Sequence, residues 1–223
     1  MRLCAYGLKS ADYVKGKRIS MKDVKLGEMS DQYFDVLKEI GNIGAGNATT
    51  ALSQMLNTRV DMKVPQVKLM EFKEVGTTMG GEEQIVAGIY LVVEGDISGS
   101  IMFMQKESSA RQMIAKLMGM EPSGECLSEM EQSALKEIGN IIAGAYLNSL
   151  STLTNLTIYP SVPELCIDMA GAILQVPAIE FGTIGDKMLL IETAFDDDNE
   201  MEGYFILVPK EESYGKILSA LGF

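Results

Sequence analysis

Residues 35–57 read DVLKEIGNIGAGNATTALSQMLN, and residues 133–155 read SALKEIGNIIAGAYLNSLSTLTN. The second stretch repeats the first 98 positions later, with about half of the aligned positions identical and an unbroken LKEIGNI in each copy. Each copy carries a glutamate and an asparagine at i, i+3: Glu39 with Asn42, and Glu137 with Asn140. On a helix this spacing puts carboxylate and amide on one face. A repeat that keeps polar residues as well as packing residues predicts two equivalent sites on a pseudo-symmetric body.

Working outward, the first repeat lies in a segment with helical periodicity. Phe34, Leu37, Ile40, Gly44, Ala48, Leu52 and Met55 form an apolar stripe near the 3.6-residue period, while Asp35, Glu39 and Asn42 fall on another face. Ser30 or Asp31 is the expected cap, and the helix is expected to run to about Asn57. Gly41, Gly44 and Gly46 each cost a helix on the order of 1 kcal/mol against alanine. Close approach of another backbone would offset that cost.

Residues 60–105 read as strands: VDMKVPQVKLMEF, IVAGIYLVVEG and SGSIMFMQ. A helix, ESSARQMIAKLM, follows and ends at Gly119, and MEPSGECLSEM (120–130) connects the halves. The second half replays the order, with a helix over about 128–154. It continues with strands LCIDMAGAILQVPAIEF, KMLLIETAF and GYFILVPK, and closes with helix EESYGKILSALGF. The predicted fold class is α+β: a duplicated α-β-β-β-α unit with pseudo-two-fold symmetry. Its strands join in one continuous mixed or antiparallel sheet, with the two long helices on one face. The expected compact domain covers residues 21–223, made of repeats at about 30–119 and 128–223. Residues 1–20 carry five basic residues against one acidic and read as a loosely attached extension.

Composition narrows the chemistry. The chain has 223 residues, a formal charge of −12 and no histidine. The acidic balance argues against nucleic acid or an anionic membrane surface as the main partner. No apolar run approaches the roughly 18 residues of a membrane span. Cys4, Cys126 and Cys166 are odd in number and lack any CxxC, which suits reduced thiols in a cytoplasm. Without histidine there is no Ser-His-Asp or Cys-His nucleophile system, no phosphohistidine relay and no His-ligated metal. GNIGAGN (41–47) is not a phosphate cradle, since its glycines fall inside a helix and no P-loop lysine follows. Asp196, Asp197, Asp198 and Glu200 lack EF-hand spacing and have no counterpart in the first half, so they read as a solvated loop. Met102, Met104, Met113 and Met118 fall at packing positions.

The plainer reading of LKEIGNI is a packing helix whose glutamate and asparagine are merely solvated. Ala48, Thr49 and Thr50 have become Tyr146, Leu147 and Asn148 in the second copy, yet the Glu-Asn pair is unchanged. That contrast favours function.

The full pattern is Asp/Ser-x3-Glu-x2-Asn-x22-Pro: Asp35, Glu39, Asn42, Pro65 in one copy and Ser133, Glu137, Asn140, Pro163 in the other. It resembles the CheC/CheX/FliY family of chemotaxis phosphatases over residues 21–223. The resemblance implies hydrolysis of the aspartyl phosphate on a CheY-type response regulator. Asn42 and Asn140 would orient the attacking water, and Glu39 and Glu137 would pair with the receiver's lysine. Mg²⁺ would come from the receiver and none from this chain. Asp35, Ser133, Pro65 and Pro163 are expected in supporting roles, the prolines where the chain enters the sheet. The family also implies the receptor deamidase CheD as a partner. Two intact copies resemble the CheC branch more than CheX, which has one per chain. A non-enzymatic flagellar-switch or adaptor module is the alternative.

Overall fold

The computed structural model describes residues 31–57, 59–63, 67–122, 124–181, 187–196 and 201–222. The basic extension 1–20, Ser30, Pro65, Asp197, Asp198 and Glu200 lie outside the described residues. The first half contains α1 (Asp31–Leu56), β1 (Asp61–Lys63), β2 (Val67–Glu71) and α2 (Phe72–Thr78), then β3 (Ile85–Gly95), β4 (Gly99–Lys106) and α3 (Glu107–Met118). The second half contains α4 (Glu129–Thr154), β5 (Ile158–Pro160), β6 (Glu164–Met169) and α5 (Ala170–Phe181), then β7 (Lys187–Asp196), β8 (Met201–Pro209) and α6 (Glu211–Ala220).

The strands form one antiparallel sheet of eight, in the order β1-β7-β8-β4-β3-β5, with β2 also on β7 and β6 also on β3. The halves therefore exchange strands. The short strands of the first half border β7 of the second, and those of the second half border β3 of the first. At the centre β4 meets β8, with Phe103 opposite Phe205 and their rings 4.8 Å apart. Both cores draw their residues from both halves.

Side-chain alternation along each strand feeds two cores. Ala87, Ile89, Leu91, Ile101, Phe103, Ile191, Phe205 and Leu207 point to one face. There they pack under Leu37, Ile40, Ala48 and Leu52 of α1 and Leu135, Ile138, Ile142 and Tyr146 of α4. Val86, Met102, Met104, Leu190, Tyr204, Ile206 and Val208 point to the other, beneath Val75 of α2 and Ile173 and Leu174 of α5.

The sequence-based assignment needs correction here. The repeating unit is α-β-β-α-β-β-α, and the stretch read as the strand LCIDMAGAILQVPAIEF is β6 followed by a helix. A short, nearly all-apolar run such as AGAIL has no polar face to betray its period, and Pro177 disguises it further. The overlooked signal lay in the strands. IVAGIYLVV and YFILV do not alternate because the sheet is covered on both faces, and the second cover had to come from somewhere.

The long helices are bounded as local chemistry demands. Ser128 caps α4: its hydroxyl accepts from the Glu131 amide, while the Glu131 carboxylate accepts from the Ser128 amide at 2.6 Å. Both long helices are followed by an asparagine in the left-handed region, Asn57 at φ 48° and Asn155 at φ 55°, equivalent positions in the repeat. Gly119 ends α3 in the same conformation at φ 69°.

Candidate functional site

The helix stripes settle which side each residue of LKEIGNI occupies. In α1, Leu37, Ile40, Gly41, Gly44, Ala45, Ala48 and Leu52 are buried, while Asp35, Glu39 and Asn42 are exposed. In α4, Leu135, Ile138, Gly139, Ile142 and Ala143 are buried, Ser133 and Glu137 are exposed, and Asn140 is half-buried. The two acid-amide pairs thus stand on the outer sides of two helices whose inner sides are clamped to the sheet. A rigid helix over a packed core holds such side chains more narrowly than a loop would.

The clamping is tight in both repeats. A Cβ placed on Gly44 would lie 3.0 Å from the Cα of Tyr146, so the backbones of α1 and α4 come close together there. A Cβ on Gly139 would lie 2.5 Å from Cδ1 of Ile89, so α4 presses equally closely on β3. At Gly44 a side chain would need Tyr146 to give way by a few tenths of an ångström, and at Gly139 the Ile89 side chain would have to move. Asn47 reaches across to α4, its side-chain amide donating to the Ser149 hydroxyl at 3.3 Å. Tyr146 stacks on Phe205 at 4.4 Å between ring centres, tying α4 to the middle of the sheet.

The supporting residues divide. The Ser133 hydroxyl donates to the Glu129 carbonyl at 2.8 Å, a bond within the first turn of α4. Asp35 occupies the equivalent exposed place on α1. Pro163 stands between β5 and β6, immediately before β6 begins to pair with β3. Pro65 lies outside the described residues. Among the described residues neither Glu39 nor Glu137 forms an ion pair, so both carboxylates remain available to an external cation.

Two residues on these faces escape a reading that takes the isoleucines of LKEIGNI as core. Ile40 and Ile138 do pack inward, but Ile43 is 39% exposed and Ile141 is half-buried. They lie four residues after the glutamates, so helical spacing alone places them on the acid's face. Met130, 70% exposed and one turn before Ser133, extends that face on α4. The result is a pair of open surfaces, each with a carboxylate, an amide and an apolar neighbour. Such a surface encloses no small molecule and suits a macromolecular partner. Among the described residues there is no group of three or more His, Cys, Asp or Glu side chains able to hold a metal. No described helix is long and apolar enough to cross a membrane.

This architecture is that of a known class of chemotaxis and flagellar-switch domains. The crystal structure of Thermotoga maritima FliY superposes with a TM-score of 0.67, covering 87% of this chain and 98% of that one at 22% identity, which establishes the fold. The CheC-like family profile matches residues 35–69 and 130–167, the two stretches that hold the acid-amide pairs. The CheY-P phosphatase CheC of Bacillus subtilis is 39% identical over 202 residues, 87% of this chain and 96% of that protein. The flagellar motor switch phosphatase FliY of the same organism is 32% identical over 180 residues, 77% of this chain but 44% of that protein. The chain belongs to the CheC-like family.

Proposed function

We propose that this chain is a hydrolase of the aspartyl phosphate on a CheY-type response regulator, with one site on α1 and one on α4. The observation that carries the reading is the presence of a complete Glu-Asn pair on the open face of each long helix. It is supported by the 39% identity to a CheY-P phosphatase over nearly that protein's whole length.

The chemistry fits the residues available. An acyl phosphate is already a reactive bond, and its hydrolysis needs a water held in line with the phosphorus. Positioning of that kind is worth several kcal/mol. The side-chain amides of Asn42 and Asn140 can accept from a water through the oxygen and donate to a phosphoryl oxygen through the nitrogen. A glutamine orients the attacking water in some nucleotide hydrolases. Glu39 and Glu137, one turn earlier on the same face, would pair with the receiver's lysine and fix the docking angle. The receiver would bring its own Mg²⁺. In this reading the apolar neighbours Ile43, Ile141 and Met130 contact the receiver's surface around the phosphoaspartate. A complex with CheD belongs to the same proposal.

The test is the decay of a Mg²⁺-loaded, radiolabelled phospho-receiver with this protein present at substoichiometric amounts. Faster decay over several turnovers is expected. Decay unchanged with the matched regulator, with and without CheD, would overturn the reading and leave a binding or switch component.

A further inference from the structure

Gly46 and Gly144 occupy equivalent positions in the two repeats, four residues after Asn42 and Asn140. At i, i+4 each lies on its asparagine's face, one turn along. Both sit well inside 26-residue helices, where glycine is the poorest residue short of proline. Two helix glycines that face inward have a reason within the chain: Gly44 meets Tyr146 and Gly139 meets Ile89. Gly46 and Gly144 have none. A Cβ added at either would meet nothing within 4 Å. Drift has replaced Gly44 by Ile142 and Asn47 by Ala145, on either side of this position, without replacing the glycine.

Glycine at a position that is exposed in α1 and half-buried in α4, kept in both repeats against helix propensity with open space around its Cβ direction, leaves a notch in each site's surface. We propose that Gly46 and Gly144 are specificity-determining positions that admit a segment of the phosphorylated receiver to van der Waals contact with the helix backbone beside Asn42 and Asn140. This inference rests on the proposed function, since it names what fills the notch. Any side chain there would hold the partner off by more than an ångström. A misplacement of about 1 Å at a reacting centre is enough to cost on the order of 100-fold in rate. The open notch also explains why Asn42 and Asn140 can be short side chains: the receiver comes to the helix, so the amide need not reach far.

The test uses the full chain in two single-site backgrounds, Asn140→Ala for the α1 site and Asn42→Ala for the α4 site. Into these go Gly46→Ala or Gly46→Leu, and Gly144→Ala or Gly144→Leu, respectively. Thermal melting and the dependence of phospho-receiver decay on receiver concentration are measured for each. The expected result is a melting temperature equal to or above that of the background, because the fold gains a better helix former. With it comes at least a tenfold rise in KM or fall in rate for alanine, and no detectable catalysis for leucine. Parent-like kinetics for both leucine variants would overturn the proposal while leaving the phosphatase reading intact. A lowered melting temperature with unchanged kinetics would overturn it too, by placing the glycines in the fold. If the protein with both asparagines fails to accelerate decay, the phosphatase reading is what falls. The notch is then decided by binding of a beryllium-fluoride-loaded receiver, which both leucine variants together must weaken at least tenfold.

Discussion

The Cα of Tyr146 lies where a side chain on Gly44 would begin, 3.0 Å from its Cβ position. The equivalent positions in the other repeat are reversed in size, with Ile142 standing for Gly44 and Ala48 for Tyr146, and all four are buried. The two long helices were thus made unequal while the space between them stayed filled. Through Tyr146 the contact continues to Phe205 and Phe103 in the central strands.

Gly44→Ile, which copies the second repeat into the first, is expected to overpack this contact. The cost should be about 1–3 kcal/mol, the usual range for forcing bulk into a filled core. Urea unfolding should show a lower midpoint. An unchanged midpoint would mean that α1 can shift away from α4 at little cost.

Asn42→Ala combined with Asn140→Ala is expected to abolish phospho-receiver hydrolysis while the protein stays folded, since Asn42 is exposed and Asn140 half-buried on the outer sides of their helices. Each single variant should retain the activity of the other site. Turnover near the parent level in the double variant would exclude the amides from water positioning.

Glu39→Gln with Glu137→Gln keeps shape and removes charge. The expected consequence is a KM raised by roughly tenfold or more, the scale of one charge-assisted contact, with a smaller change in kcat. In the proposed complex the partner charge is a lysine at the surface, so added salt should weaken the parent and leave the double variant nearly insensitive. Equal salt dependence of the two proteins would remove the glutamates from receiver recognition.

Ser128→Ala should cost about 1 kcal/mol by unmaking the cap of α4. Hydrogen exchange is the sensitive measurement, and faster exchange should be confined to the first turn of α4, ahead of Glu137. Protection identical to the parent would show the Glu131 carboxylate sufficing alone.

Tyr214 on α6 has its hydroxyl buried with no hydrogen-bond partner among the described residues, and burial pushes its pKa well above the ordinary tyrosine value of about 10. The neutral form is the one favoured in the fold. Its contribution is therefore complete below about pH 10 and is lost as pH rises toward the folded-state pKa. Tyr214→Phe should be neutral to about 1 kcal/mol stabilising near pH 7, because an unsatisfied hydroxyl disappears. Between about pH 9.5 and 11 the variant's melting temperature should fall less than the parent's. Parallel curves would mean that the hydroxyl has access to water.

Much of the geometry of the candidate site is legible in the sequence alone. The i, i+3 spacing puts Glu39 with Asn42 and Glu137 with Asn140 on one helix face each, and their repetition marks them as candidates. The buried stripe of α1 from Leu37 to Leu52 follows the residues named from the 3.6 period. Ile43 and Ile141 are hidden because hydrophobic type suggests burial, whereas helical phase turns them outward. The 3.6 period names Gly44 and leaves out Gly46, but only their surroundings show that one meets Tyr146 and the other nothing within 4 Å.

The sequence by itself determined the local elements that carry strong periods or caps: α1, α3, α4 and the central strands. It also determined the duplication and the paired polar faces, because these are properties of residues near one another along the chain. The tertiary structure decided that Ala170–Phe181 is a helix, that Phe72–Thr78 is another, and that both cover the far side of the sheet. It decided as well that the short strands cross over to the opposite half. The physical reason is that apolar runs such as AGAIL and short strands such as DMK are indifferent between states on their own. Their conformation follows from which apolar surface is left uncovered and which strand edge is left unpaired, and both are set by residues about a hundred positions away.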